Sequence, residues 1–182
     1  MSQHRLNQLS FWQLVFSFAA TRGGWIVVSF VWALALRFTL FKINGIDILL
    51  ILLIVSAWPI LEWFFHRFLM HEWTLLPFHQ THDRHHRFPS PETGLPDTWI
   101  VVTYFILPLM MWSFGLRYLL TLGVTVLAML VVYEFVHFSC HCNYTPLSRW
   151  GWAVRVNHLQ HHKLDETTNY AMLFPRRAKR RD

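Results

Sequence analysis

A chain of 182 residues has the length of one ordinary domain, yet 54% of it is apolar, 17% aromatic and only 14% charged. That balance leaves too little polar surface for a soluble protein of this size and indicates an integral membrane protein. The formal charge of +6 then favours a membrane surface over nucleic acid as the partner of the basic residues, and Cys140 and Cys142 are too close in sequence to form a disulfide framework.

In chain order, Met1 to Ser10 is polar. Phe11 to Ala20 is apolar but too short to span, so it predicts a helix lying in the headgroup region, ending at Thr21-Arg22-Gly23-Gly24. Trp25 to Phe41 is the first predicted span, with Arg37 near one end where it can snorkel to the interface. After Lys42-Ile43-Asn44-Gly45, the second runs from Ile46 to Phe65, with Asp47 at its start and Glu62 near its finish. Thr98 to Leu116 is uncharged and makes the third. Leu119 to about Phe138 makes the fourth, with Glu134 its ionisable group before the histidines. The expected fold is all-α and integral to the membrane, with about four transmembrane helices and a cytoplasmic, histidine-rich helical cap. Residues 1–182 read as a single membrane domain: an interfacial segment 1–24, a membrane core 25–138 that includes a histidine loop 66–97, a metal cap 139–175 and a basic tail 176–182.

An even number of crossings returns the chain to its starting side. Thirteen of the sixteen lysines and arginines then share the side that carries the histidines, the others being Arg37, Lys42 and Arg117. By the positive-inside rule that side is cytoplasmic, as are both termini, and the basic tail either rests on anionic headgroups or is simply solvated.

Of the twelve histidines, six lie between His66 and His86 and five between His137 and His162. His66 and His71 are five apart, about 140° on an α-helix, so either the helix ends between them or they reach a metal from different sides. His79, His82 and His86, with His85 beside them, fall on one predicted helical face; His137 and His141 are i, i+4; His158, His161 and His162 form another face. Imidazole is the commonest transition-metal ligand, and structural zinc sites favour four ligands and cysteine. Eleven clustered imidazoles point instead to more than one metal ion. Glu62 and Glu134 precede His66 and His137 by about one turn. Each is placed either to accept an imidazole N–H behind the metal or to pair with a cation such as Arg67. Asp83, Asp97, Asn157 and Asn169 are weaker candidates because they sit in polar loops.

The order HxxxxH, HxxHxxHH, HxxxH, HxxHH on such a chain resembles the fatty acid hydroxylase superfamily of membrane histidine-box di-iron enzymes, and most nearly its fatty acid and sphingolipid 2-hydroxylase branch. The segments His66-Arg67-Phe68-Leu69-Met70-His71, Tyr133-Glu134-Phe135-Val136-His137 and His158-Leu159-Gln160-His161-His162 carry the likeness, which runs from about Glu62 to Tyr170. It implies two iron ions held among His66, His71, His79, His82, His85, His86, His137, His141, His158, His161 and His162, with zinc as a substitute in isolated protein. It also implies dioxygen-dependent hydroxylation of a membrane lipid. Two departures stand out: Cys142 occupies a place where relatives often carry a further histidine, and the sequence after Asn169-Tyr170-Ala171 leaves the family pattern.

An unactivated C–H bond resists acid, base and nucleophile, so a cofactor must carry the hard step. Phe64, Phe65, Phe68 and Trp73 are candidate walls for an acyl chain, or else interfacial anchors. No flavin, haem or iron–sulfur motif is present, so electrons are expected from a separate reductase, ferredoxin or cytochrome, steered by Arg84, Arg87, Arg149 and Arg155. Competing readings are a desaturase, a carotenoid- or sterol-type hydroxylase, or a metal-binding membrane protein without turnover.

Overall fold

The computed structural model describes residues 8–40, 42–91 and 101–175. The polar residues 1–7, Asp97 with the start of the predicted third span, and the basic tail 176–182 lie outside them. Every regular element among the described residues is helical.

Helix α1 (Phe11–Ala19) begins with a reciprocal cap: Ser10 Oγ accepts from the Gln13 N–H, and Gln13 Oε1 accepts from the Ser10 N–H. It buries Leu14 and Phe18 and leaves Trp12 and Phe16 exposed, the two-sided character expected of an interfacial helix. The chain turns directly into α2 (Arg22–Leu40). A Cβ at Gly24 would lie 2.1 Å from the Ala19 carbonyl oxygen, so this corner needs glycine.

Helix α3 (Gly45–Phe64) starts at an Asn44 cap, whose Oδ1 accepts from the N–H groups of Ile46 and Asp47 while Asp47 returns a bond to the Asn44 N–H. Its long apolar flank, including Leu49, Leu52, Leu53 and Ile60, is exposed and matches a lipid-facing surface. Instead of ending, α3 passes into a π-helical stretch, Phe65–Glu72. After a turn, α4 (Pro77–Arg87) opens with proline in its first turn. A second π-helical stretch, Val102–Ile106, leads into α5 (Leu107–Ser113), which closes at Gly115 with φ +64°. There the Leu116 and Gly115 N–H groups return to the carbonyls of Met111 and Trp112, a Schellman closure that suits glycine. Helices α6 (Arg117–His141) and α7 (Arg149–Lys163) complete the fold.

Arg22–Leu40, Gly45–Glu72 and Arg117–His141 are long and apolar enough to cross a membrane. The described part of the predicted third span, Val102–Ser113, is apolar but shorter. Both hairpins turn at the same end: the Trp112 indole donates to Thr39 Oγ1 and Arg117 to the Lys42 carbonyl. Arg37 departs from expectation there. It is buried, with Nη2 2.6 Å from Asp47 Oδ1 and Nε donating to Thr121 Oγ1 at 2.6 Å, while Arg117 bonds Asp47 Oδ2 at 2.5 Å. An acid inside the bundle gives the guanidinium a nearer partner than the interface, so snorkelling is unnecessary. The network ties α2, α3 and α6 at the end opposite the histidines.

Candidate metal centre

The π-helical stretch resolves the five-residue spacing of His66 and His71. With i→i+5 bonding, residues five apart sit one turn above each other, and the two rings lie 5.2 Å apart, centre to centre. Neither expected alternative applies, because the helix neither stops nor sends the rings to opposite sides.

Ten of the eleven candidate histidines form two groups of five. His66, His71, His82, His86 and His161 make the first; His85, His137, His141, His158 and His162 make the second. The two HxxHH boxes are therefore not single faces. In each, the i and i+4 histidines join the pair at the exit of the preceding helix, and the i+3 histidine crosses to the other group. On an α-helix, i+4 lies about 40° from i while i+3 lies about 100° from i+4, which is enough to divide one helix between two centres. The stacked rings of His86 and His162, 4.1 Å apart, join the groups back to back.

His79 belongs to neither group; its Nδ1 donates to the Met70 carbonyl at 3.0 Å and so ties α4 to the π turn. Cys142 is also in neither, packing among Leu14, Phe18 and Phe138. Both cysteines are buried and free. Glu62 does not accept from a histidine as expected. Its Oε1 accepts the Leu173 N–H at 2.9 Å, while His66 Nδ1 lies 2.8 Å from the Tyr170 carbonyl. Glu72, not Glu62, takes Arg67. Glu134 is buried on α6, close enough to Tyr104 and Tyr133 to act electrostatically on both rings.

The donor chemistry fits metal ions. His66 and His161 each place Nδ1 against a backbone carbonyl, of Tyr170 and Thr168 at 2.8 and 2.7 Å. A carbonyl only accepts, so in both neutral rings the proton is on Nδ1 and Nε2 is a bare lone pair. Those lone pairs face other imidazole nitrogens: His66 Nε2 is 3.0 Å from His82 Nε2, and His161 Nε2 is 3.1 Å from His71 Nε2. Crowded lone pairs repel unless a cation lies among them, and nitrogens bound at about 2.1 Å to one ion would lie about 3.0 to 3.4 Å apart. In the second group, both ring nitrogens of His85 and of His162 are buried without a hydrogen-bond partner, which is costly unless something else takes one nitrogen of each.

Burial pushes three of the grouped imidazoles below their ordinary range, assisted by repulsion between rings: His85 to about 4, His86 to about 3 and His162 to about 2. They are neutral at physiological pH, as metal ligands must be. Because the unfolded chain takes up protons near 6.5 and the folded one only well below, stability is complete above 6.5 and lost as pH falls through the folded values. The expected result is a metal-free protein whose unfolding temperature in detergent falls steadily below pH 6.5; a flat profile down to pH 4 would contradict it.

The loop after α7 carries two further groups that bear on the histidines, Glu166 and Asn169. Glu166 Oε1 lies 3.3 Å from His86 Nδ1, poorly aligned for a hydrogen bond but close enough to attract its N–H. Asn169, ranked low for its loop setting, has φ +59° and sits between the two carbonyls that fix His66 and His161. The signal was the presence of Asn beside the last histidine box, since Asn is the residue other than glycine that most readily enters the left-handed region.

Beneath the first group lies an apolar cavity of about 210 Å³, reaching from Trp58, Val126 and Leu130 up to Met70 and His66. Of the aromatic residues expected to wall an acyl chain, Phe65 lines it. Phe64, Phe68 and Trp73 instead pack on one another, with Phe64 and Trp73 exposed.

A helical membrane chain that gathers ten imidazoles into two groups, each able to hold a metal ion, defines a class of histidine-rich membrane metalloprotein. The sequence profile of the family described as fatty acid hydroxylase matches residues 51–176, well over half of the chain, and the protein belongs to that family. Membership points to an oxidoreductase acting on lipid with oxygen. No curated protein and no solved structure matches the chain.

Proposed function

We propose that this protein is a membrane lipid hydroxylase in which each histidine group holds one iron and an acyl chain occupies the cavity below His66. The observation that carries the reading is the cavity itself. It is apolar, lies within the spanning helices, and ends against an imidazole of the first group. An acyl segment entering from the bilayer would bring a methylene there while its headgroup stays in the interface.

Two bound irons supply what no side chain can, reductive activation of dioxygen and oxidation of a C–H bond. One oxygen atom enters the C–H bond and the other leaves as water, using two protons and two electrons from a separate donor protein. The chain's own residues position and shield. Trp58, Val126 and Leu130 hold the acyl segment and exclude water from the carbon. The carbonyls of Thr168 and Tyr170 hold His161 and His66 in the tautomer that presents Nε2. The excess of basic residues on the histidine side favours a cytoplasmic orientation. There Arg84 and Arg149 are exposed and suited to steer an acidic donor, whereas Arg155 is engaged by the Ser139 and Tyr144 carbonyls.

The test is mass spectrometry of lipids from cells producing the intact chain or its His161→Ala form. The expected result is a lipid one oxygen heavier with the intact chain alone. A product two hydrogens lighter would assign a desaturase, and no difference with folded protein and a reductase supplied would leave a metal-binding protein without turnover.

A further inference from the structure

We infer that the two histidine groups grip their ions unequally, and that the turn Asp165–Leu173 makes the first group the tighter. The inference rests on the reading that both groups bind metal, and goes beyond it by assigning an order of affinity and the residues that set it.

The backbone at Asn169 is left-handed, with φ +59°. Reversing direction there turns the carbonyls on either side, those of Thr168 and Tyr170, toward two different imidazoles of one group, His161 at 2.7 Å and His66 at 2.8 Å. Both rings are thereby fixed in orientation and tautomer, with Nε2 facing inward. The turn is anchored at both ends. Asp165 Oδ1 accepts the Thr167 N–H at 2.9 Å. At the other end the Leu173 N–H donates to Glu62 and its carbonyl accepts from the Trp150 indole at 3.1 Å, with Met172 and Leu173 buried beside Trp58 and Val154. Between the anchors, the Tyr170 ring packs on His66, His71 and His161 at 5.3 to 5.6 Å, and Glu166 approaches His86. Glu62 is thus a positioning residue. It acts on His66 through the backbone rather than by touching it.

Among the described residues no turn of this kind braces the second group. Among the described residues, both nitrogens of His85 and of His162 and the Nδ1 of His137 are buried without a hydrogen-bond partner, against a single such nitrogen in the first group, His86 Nδ1, which has Glu166 3.3 Å away. Their tautomers are set only when an ion arrives, so the binding energy must also cover orienting the rings. Partners behind metal-bound histidines typically change affinity by about 10–100-fold, and the first group has hydrogen-bonded ones at two of its five rings, His66 and His161, with Glu166 3.3 Å from a third, His86.

The experiment is a chelator competition on the zinc-loaded chain in detergent, reading zinc per chain by elemental analysis, with thermal unfolding run alongside. The expected result is two ions leaving in two steps separated by about 10–100-fold in chelator. His158→Ala, which removes a ligand of the second group, retains the tight step; His161→Ala abolishes it. Asn169→Val, whose β-branched side chain disfavours the left-handed backbone, weakens the tight step about 10-fold or more and leaves the loose one unmoved. Asn169→Gly restores it, because glycine adopts that backbone freely. If Asn169→Val does not fold, Asn169→Ala makes the same comparison with a smaller side chain. Two ions leaving in one step, or a tight step that survives His161→Ala, would overturn the inference while leaving metal binding intact. A folded chain that holds no zinc would overturn the metal-centre reading itself.

Discussion

Leu130→Trp is expected to reduce lipid product by about 100-fold or more while leaving the metal content of the protein unchanged. Leu130 lies on α6 and lines the cavity, so an indole there occupies the space proposed for the acyl segment. The reacting carbon would be displaced from His66, and small misplacements of a substrate cost large factors in rate. The histidines are untouched, and the existing cavity of about 210 Å³ absorbs part of the added volume. The stability loss should therefore stay at or below the usual 1–3 kcal/mol of overpacking. Product yield, metal per chain and unfolding temperature measured on the same preparation check it. Undiminished product in the variant would place the substrate elsewhere.

The largest effect on stability is expected at the other end of the bundle. Asp47 is 1% exposed and receives Arg37, Arg117 and Thr121 together. Asp47→Ala leaves two guanidinium groups without their common anion, a change that costs about 3–5 kcal/mol when a buried pair loses one partner. Arg117→Met should cost less, because Arg37 keeps its carboxylate and no charge is left unpaired. Chemical unfolding in detergent would report both. A loss below about 1 kcal/mol for Asp47→Ala would mean that the arginines reach water or headgroups once the acid is gone, in the way that long cationic side chains do near a membrane surface.

The resemblance carried by the histidine boxes, His66 to His71, His79 to His86, His137 to His141 and His158 to His162, agrees with the family match over residues 51–176. Which nitrogens belong together was not legible. Helical periodicity groups His82 and His86 with His85, and His161 with His162, because it reports faces of one helix and nothing about the neighbours those faces meet. Glu62 shows the same limit. One turn before His66 it looks like a histidine partner, but the backbone of Leu173, 111 residues away in sequence, takes its oxygen first.

By itself the sequence determined what local physics controls. Apolar runs of spanning length and the concentration of imidazoles at helix exits follow from composition and periodicity within a few residues. The tertiary structure decided what depends on packing between distant segments. It set the π turn that aligns His66 with His71, the division of each HxxHH box between two centres, the withdrawal of Arg37 onto Asp47, and the left-handed Asn169 that turns two carbonyls onto one histidine group. The histidine groups join segments far apart in the chain, as His66 and Tyr170 are joined across 104 residues. Close packing fixes such pairings only after the helices have docked.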